Sequence, residues 1–335
     1  MNALPIPGFV DLQVNGCLGV DFSSPDLTEA DCRRACHAML HSGTAAFLPT
    51  LITSPLEVYA RNLPLLARLL DEPEFKGRLL GLHLEGPFIS AQPGAVGAHD
   101  PQWVRPPDEG VLAQLLDWGG GHVRLLTLAA ELDGAERLAR LAVTRGAIVA
   151  IGHTLAAPDD LDRLYQAGAS LLTHLGNGLP GLLPKFANPL WAGLADDRYL
   201  ASFIGDGHHI PDGILKAFLR VKGLPRAIIV SDAASVAGLP PGDYSTLGNQ
   251  AILEPSGRLH NPAKGCLVGS SYTLLRCINH LLAARLASLD DCLALGFANP
   301  LRLLNLPPAS ISCTSRLFFD EECCQILPSP ADQLA

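Results

Sequence analysis

The stretch IVAIGHTLAAPDDLDRLYQAGASLLTHL, residues 148–175, decides the fold. An apolar run, Ile148 to Ile151, leads into His153; Pro158 to Ala167 then reads as an amphipathic helix opened by a proline and two aspartates. A second apolar run, Leu171 to Thr173, leads into His174. A strand, a helix and a strand, each strand followed by a polar residue, make a β/α unit. The alternation recurs outward in both directions. Further candidate strands are Gly8 to Leu12, Ala45 to Pro49, Leu79 to Leu84, Val123 to Leu128, Ala201 to Ile204 and Ala227 to Val230, about eight in all. Candidate helices between them are Leu27 to His41, Leu56 to Leu70, Glu109 to Leu116, Gly134 to Thr144 and Pro211 to Val221. Runs that are apolar throughout suit strands buried on both faces of a parallel sheet.

Eight units favour a barrel over an open sheet, and the placement of the polar residues agrees. Gln13 and Asn15 follow the first run, Glu85 the third, Glu131 the fourth, His153 the fifth, His174 the sixth, Asp206 and His209 the seventh, and Asp232 the eighth. In a (β/α)8 barrel those strand ends converge on one mouth, where active sites sit. The sequence therefore predicts an α/β chain with a TIM-type (β/α)8 barrel over residues 1–306. A loop with a hairpin, Tyr244 to Leu259, is expected as an insertion at about 236–268, followed by a helix at Ser271 to Ala287. Residues 307–335 are expected to form an irregular C-terminal tail.

Composition narrows the function. Of 335 residues, 48% are hydrophobic and 17% charged, against ~25% charged in an average soluble protein. A sizeable core can form, and bulk disorder is excluded. The net charge is −9 with no basic cluster, which argues against nucleic acid as a partner. The longest segment free of charged residues, Leu164 to Pro184, is broken by Gly168, Gly176, Gly178, Pro180 and Gly181, so no membrane span is expected. Met1 to Gly16 has no basic region and carries Asp11, unlike a secretory signal, so the cytoplasm is the expected compartment. Nine scattered cysteines do not form a disulfide framework.

Three residues on separate strand ends carry the chemistry: Glu85 in LHLEGP, His153 in AIGHT and His174 in LLTHL. A borderline divalent ion such as zinc takes three such ligands and keeps one position open. The same residues also fit an ion-paired carboxylate and two core histidines, because the 21-residue spacing of the histidines matches no local metal motif. Asp232, in IIVSDAA, ends the most apolar run. A carboxylate there could take a proton from a water activated by the ion and return it to a leaving group. A helix N-cap is the alternative role.

The segments PGFVDLQVNG (7–16), LHLEGPF (82–88), IGHT (151–154), THLGNGLP (173–180), DGHH (206–209) and VSDA (230–233) occur in an order that resembles the N-acetylglucosamine-6-phosphate deacetylase family of the amidohydrolase superfamily, over about Pro7 to Pro300. The resemblance implies a barrel of the metal-dependent amidohydrolase kind. It also implies hydrolysis of the N-acetyl group to give glucosamine 6-phosphate and acetate. Glu85, His153 and His174 would hold one divalent ion per subunit, zinc first, with iron, cobalt or manganese compatible. Gln13 and Asn15 would mark a vestigial second-metal position. Asp232 would be the catalytic base and acid, and His99 would polarise the acetyl carbonyl. Ala98, His99, Asn177, Gly178, Asp206, His209, Leu267, Val268 and Gly269 would contact the substrate.

Two departures from the family pattern stand out. Lys185 occupies the place of an arginine that reaches the phosphate site of the neighbouring subunit, and lysine lacks the two-pronged fork of arginine. A homodimer follows if Lys185 keeps that role. The small β-domain of the family is expected to be missing or vestigial. The alternatives are a deacetylase of another acetamido sugar, phosphorylated or not, a different amidohydrolase, or a barrel that binds a sugar phosphate without turnover.

Overall fold

Phe9–Val14 and Thr44–Ile52 are buried along their whole length, which only strands covered on both faces allow. A computed structural model describes residues 3–312 and 317–328. After a first strand, β1 (Ala3–Ile6), the barrel strands are β2 (Phe9–Val14), β3 (Thr44–Ile52), β4 (Leu82–Glu85), β5 (Val123–Leu128), β6 (Ile148–Ile151), β7 (Ala169–Leu172), β8 (Leu200–Ile204) and β9 (Ala227–Val230). All eight are parallel, and each pairs with the next in chain order. Helices α1 (Glu29–His41), α2 (Leu56–Asp71), α3 (Glu109–Trp118), α4 (Ala135–Thr144), α5 (Pro158–Gln166), α6 (Pro189–Ala195), α7 (Asp212–Lys222) and α8 (Leu274–Ala283) surround them. This is the expected (β/α)8 barrel. The short α6 falls in a Gly/Pro-rich stretch where the periodicity predicted none.

Two separate cores follow from the strand geometry. Leu12, Leu48, Leu125, Ala150, Leu171, Ile204, Ile228 and Val230 fill the barrel interior, and Leu304 plugs its floor. A larger core lies between strands and helices. The seam between β9 and β2 is closed mainly by polar contacts. Ser231 donates its N–H and hydroxyl to the buried Asp11 carboxylate. Asn15 N–H donates to the Ala233 carbonyl at 2.8 Å, beside a single parallel bridge from Val14 to Ala233.

Where a hairpin was expected in the insertion, the chain forms a four-stranded antiparallel sheet. Its strands are β10 (Gly242–Thr246), β11 (Asn249–Leu253), β12 (Leu259–Asn261) and β13 (Cys266–Leu267). Leu247, Ala251, Leu253, Leu259 and Val268 pack with Ile52 and Ala234 in a core of their own.

The expectation of an irregular tail over 307–335 is corrected within its described part. β14 (Leu317–Asp320) and β15 (Gln325–Pro328) form an antiparallel hairpin, and β14 pairs with β1 at the other end of the chain. Leu317 and Ile326 are fully buried, in the core that also holds Ile6. Asn279 of α8 donates its side-chain N–H to the Ile326 carbonyl at 2.9 Å and accepts the Ile326 N–H at 2.8 Å. The strands are too short, and their partners too distant in sequence, to produce a visible period. The remaining tail residues, 313–316 and 329–335, lie outside the described residues.

Among the described residues no helix is long and apolar enough to cross a membrane. The Asn279 clamp is testable: Asn279→Ala leaves two backbone groups of Ile326 without these partners. It should lower unfolding free energy by about 1–3 kcal/mol in urea titration, with proteolysis concentrating in the hairpin.

Candidate active site

The C-terminal ends of the barrel strands bring the polar residues to one mouth. Glu85 is the last residue of β4, while His153, His174 and Asp232 each lie two positions beyond β6, β7 and β9. These three have positive φ, at 49°, 29° and 51°. Left-handed backbone at non-glycine residues is strained, and such strain collects at functional sites because the surroundings must hold it. The turn re-aims each side chain from the strand into the mouth.

Glu85 is the hub. His174 Nε2 lies 2.7 Å from its Oε1, His153 Nε2 3.3 Å from the same oxygen, and His99 Nε2 3.7 Å from Oε2. Burial pushes the Glu85 carboxyl up, but the His153 and His174 imidazoles beside it outweigh that and hold it well below the usual carboxylate range. His174 moves the other way. Burial opposes its charge, yet the Glu85 hydrogen bond and charge, with Asp232 beyond, raise it.

Hydrogen bonds from neighbouring loops assign the ring protons. His153 Nδ1 lies 2.8 Å from the Ala95 carbonyl, which can only accept, so in the neutral ring the lone pair is on Nε2, 3.2 Å from His99 Nε2 and 3.3 Å from Glu85. His99 Nδ1 accepts the Thr53 N–H at 3.3 Å, so in the neutral ring Nε2 keeps a proton. Burial, and next the neighbouring His153, push His99 down to about 3, so it remains a neutral donor.

These assignments test the metal site. Glu85, His99 and His153 present ligand atoms all within 4.8 Å of one another. A protonated Nε2 cannot ligate, which removes His99. The Nε2 proton of His174 is not fixed in that way: its buried Nδ1 has no hydrogen-bond partner among the described residues, so the neutral ring can carry its proton there and leave Nε2, beside Glu85, to an ion. One carboxylate oxygen and two imidazole nitrogens, buried and convergent, fit a borderline divalent ion.

Asp232 faces this cluster. Gln13 Nε2 donates to Glu85 Oε1 and to Asp232 Oδ1, at 3.0 Å each, and Asn15 Nδ2 donates to Asp232 Oδ1 at 2.7 Å. Two amides thus stand beside the carboxylates as donors and leave Asp232 Oδ2 free. Burial, then the charge of Glu85, raise Asp232 to about 6 against the pull of His174, His209 and Asn15.

The cavity over these groups has a volume of about 490 Å³, and Asn15, His99, Asn177, Gly178, His209, Lys264, Leu267 and Gly269 share its walls. Ala98 lines it too. Three expected substrate residues, and Gln13 of the expected vestigial metal position, sit differently. Asp206 is buried beneath His209, accepting from its ring at 2.8 Å and from the Ser270 hydroxyl at 2.8 Å. Burial opposes its charge, but His209 and these hydrogen bonds hold it well below the usual range. Val268 is fully buried in the inserted sheet's core. Gln13 bonds Glu85 and Asp232 without lining the cavity itself. Lys185 is exposed, with Nζ 5.2 Å over the Phe186 ring, and does not line the cavity of its own chain.

Three other features bear on the site. A cleft of about 600 Å³ shares the Ile52 and Leu247 walls but contains none of these groups, so its size does not make it the reaction chamber. Cys17, raised to about 11 chiefly by burial, donates to the Ala237 carbonyl and is not a nucleophile. Glu131 accepts the Leu155 N–H at 2.8 Å and the Thr154 hydroxyl, tying down the residues after His153. The sequence offered no sign of Asp11 and Ser231 as the seam, or of Asn249 and Lys264 at the rim. Their partners are over a hundred residues away, and no spacing rule spans that.

No protein-family model matches the chain. The chain is 34% identical over 316 residues to the bovine N-acetylglucosamine-6-phosphate deacetylase, covering 90% of this chain and 74% of the relative. It is 28% identical over 302 residues to the Escherichia coli O157:H7 N-acetylgalactosamine-6-phosphate deacetylase, covering 90% and 78%. Among solved structures, the Mycobacterium smegmatis N-acetyl-D-glucosamine-6-phosphate deacetylase in complex with N-acetyl-D-glucosamine-6-phosphate superposes with a TM-score of 0.86. Identity there is 28%, with coverage of 97% of this chain and 85% of that one. The Thermotoga maritima N-acetylglucosamine-6-phosphate deacetylase gives a TM-score of 0.84 at 26% identity, over 98% and 87%.

The metal assignment predicts that Glu85→Gln, which keeps shape and removes charge, weakens divalent-ion binding in calorimetry. The loss should exceed the ~10–100-fold that removing an outer hydrogen-bond partner costs. His99→Gln should leave ion binding in place.

Proposed function

The chain belongs to the N-acetylglucosamine-6-phosphate deacetylase family of amidohydrolases, and from that premise we propose that it hydrolyses the N-acetyl group of N-acetylglucosamine 6-phosphate to glucosamine 6-phosphate and acetate. The observation that carries this reading is the convergence of Glu85, His153, His174 and Asp232 on one cavity, with the neutral His99 donor beside them.

A divalent ion held by Glu85, His153 and His174 would supply Lewis-acid polarisation of the acetyl carbonyl and a water easier to deprotonate. The protein residues do the rest. Asp232, fixed through Oδ1 by Asn15 and Gln13, offers Oδ2 to the proton of the attacking water. As charge builds on the acetyl oxygen, the His99 Nε2–H donates to it; a neutral ring held in place by Thr53 does this without reorganising. Protonated Asp232 then gives its proton to the departing nitrogen, the C–N bond breaks, and acetate and the free amine remain. Asn177 and Gly178 border the sugar on one side, Leu267 and Gly269 on another.

Zinc is the ion this reading names first, since it suits mixed imidazole and carboxylate ligands. The reading also includes a homodimer. Leu182, Phe186 and Trp191 are 94%, 77% and 49% exposed on the segment that carries Lys185. A second copy covering that apolar edge would bring Lys185 towards the partner's cavity. A cytoplasmic location fits the nine cysteines without a disulfide framework.

Acetate release by the metal-loaded protein from N-acetylglucosamine 6-phosphate tests the function; no release with the ion bound would end it. Asp232→Asn should retain the ion by elemental analysis and lose ~10²-fold or more in kcat, the scale of a general acid–base contribution.

A further inference from the structure

The cavity holds two carboxylates, Glu85 and Asp232, yet among the described residues lining it there is one Lys or Arg, Lys264. Lys264 sits on the turn between β12 and β13, held by a chain of amides. Asn261 Oδ1 accepts the N–H groups of Ala263 and Lys264 at 2.9 and 3.2 Å. Asn261 Nδ2 donates to Asn249 Oδ1 at 3.1 Å, and Asn249 Nδ2 donates to the Ala98 carbonyl at 2.8 Å. The turn is therefore fastened to the residue preceding His99. The Lys264 ammonium is exposed and lies 3.5 Å from the same Ala98 carbonyl, with no carboxylate in ion-pair contact among the described residues. Its charge is felt at His99.

A cation held at the rim of an acid-lined cavity without a counter-ion is arranged for an anion brought by the ligand. A phosphate monoester carries about −1.5 to −2 charges at pH 7, and a cation at the rim meets that charge outside the buried cluster of Glu85 and Asp232. Lysine supplies a mobile point charge that needs no fixed fork geometry. Lys185, by contrast, does not line the cavity of its own chain. We propose that Lys264 engages the phosphate of the substrate and sets the preference for the 6-phosphorylated over the unphosphorylated acetamido sugar. The proposal rests on the deacetylase reading and names the residue that gives it specificity.

The test uses metal-loaded wild type, Lys264→Gln, Lys264→Arg and Lys185→Gln. Rates are measured on N-acetylglucosamine 6-phosphate and N-acetylglucosamine, alongside calorimetric titration with glucosamine 6-phosphate. In Lys264→Gln the ratio of kcat/KM for phosphorylated to unphosphorylated sugar should fall about tenfold, the worth of a partly solvated charge-assisted hydrogen bond. The loss should lie chiefly in KM and be recovered in Lys264→Arg. An unchanged ratio in Lys264→Gln overturns the proposal, whether or not Lys185→Gln lowers it. If wild type turns over neither sugar, the deacetylase reading fails and the titration decides on Lys264. Weaker binding of glucosamine 6-phosphate by Lys264→Gln then supports the proposal, and equal or absent binding in both proteins overturns it.

Discussion

A carboxylate buried to 2% exposure among three imidazoles is the constraint around which this barrel mouth is built. Removing an isolated ionised carboxylate from water costs several kcal/mol even after relaxation, unless positive charge compensates it. The mouth answers in two ways. His174, raised by Glu85, can carry a proton towards it. His153, with its own proton committed to Ala95, instead turns a lone pair towards Glu85 Oε1. That lone pair accepts from the His99 Nε2–H at 3.2 Å and lies 3.3 Å from the carboxylate oxygen. A ring nitrogen and a carboxylate oxygen placed so close, each with a lone pair to give, suit a shared divalent ion.

The position of Asp232 depends on a different contact, the seam of the barrel. Between β9 and β2 the carboxylate of Asp11 takes the Ser231 N–H and hydroxyl, and the neighbouring Asp232 is thereby set against Asn15 and Gln13 of the same first strand. The contact that closes the barrel is thus the one that places Asp232. Burial raises Asp11 to about 7 against the pull of the Ser231 hydrogen bonds, so this fastening is made where a charge is costly. Beneath the mouth, His83, Thr127 and Thr173 form a second buried polar layer linked at 2.8 Å. Burial lowers His83 to about 4, which keeps that layer neutral below the charged one.

How much of this was legible in the sequence follows from locality. The barrel strands could be read because each is a continuous apolar run and each β/α repeat is local. Once the repeats imply a barrel, Glu85, His153, His174 and Asp232 must share a mouth. Tautomers, tethers and rims were not legible, because they arise from contacts between repeats: Thr53 with His99, Ala95 with His153, Asn249 with Ala98. Asp206 illustrates the limit. Its place after a strand suggested a position at the mouth, and the family resemblance implied contact with substrate, but its carboxylate is spent on His209 and Ser270, and only packing reveals that. The hairpin at Leu317–Pro328 was hidden for the same reason, since its partner strand lies at the opposite end of the chain.

The inserted sheet shows how specificity can change without disturbing the chemistry. The residues proposed as metal ligands and base lie at or just beyond strand ends, whose backbone is locked by the barrel ladder. His99 lies on a loop, yet its ring is held by Thr53 just after β3, and Ala98 beside it is tied to Asn249 in the insertion. The insertion has its own apolar core, so its stability does not draw on the barrel interior. Residues on its turns, Lys264 among them, can therefore be exchanged at the rim while Ala98 and His99 stay in place. Reacting groups on rigid strands and selecting groups on a separately packed insertion divide catalysis from recognition. The two meet at one backbone carbonyl, that of Ala98, which accepts from Asn249 and lies beside the Lys264 ammonium.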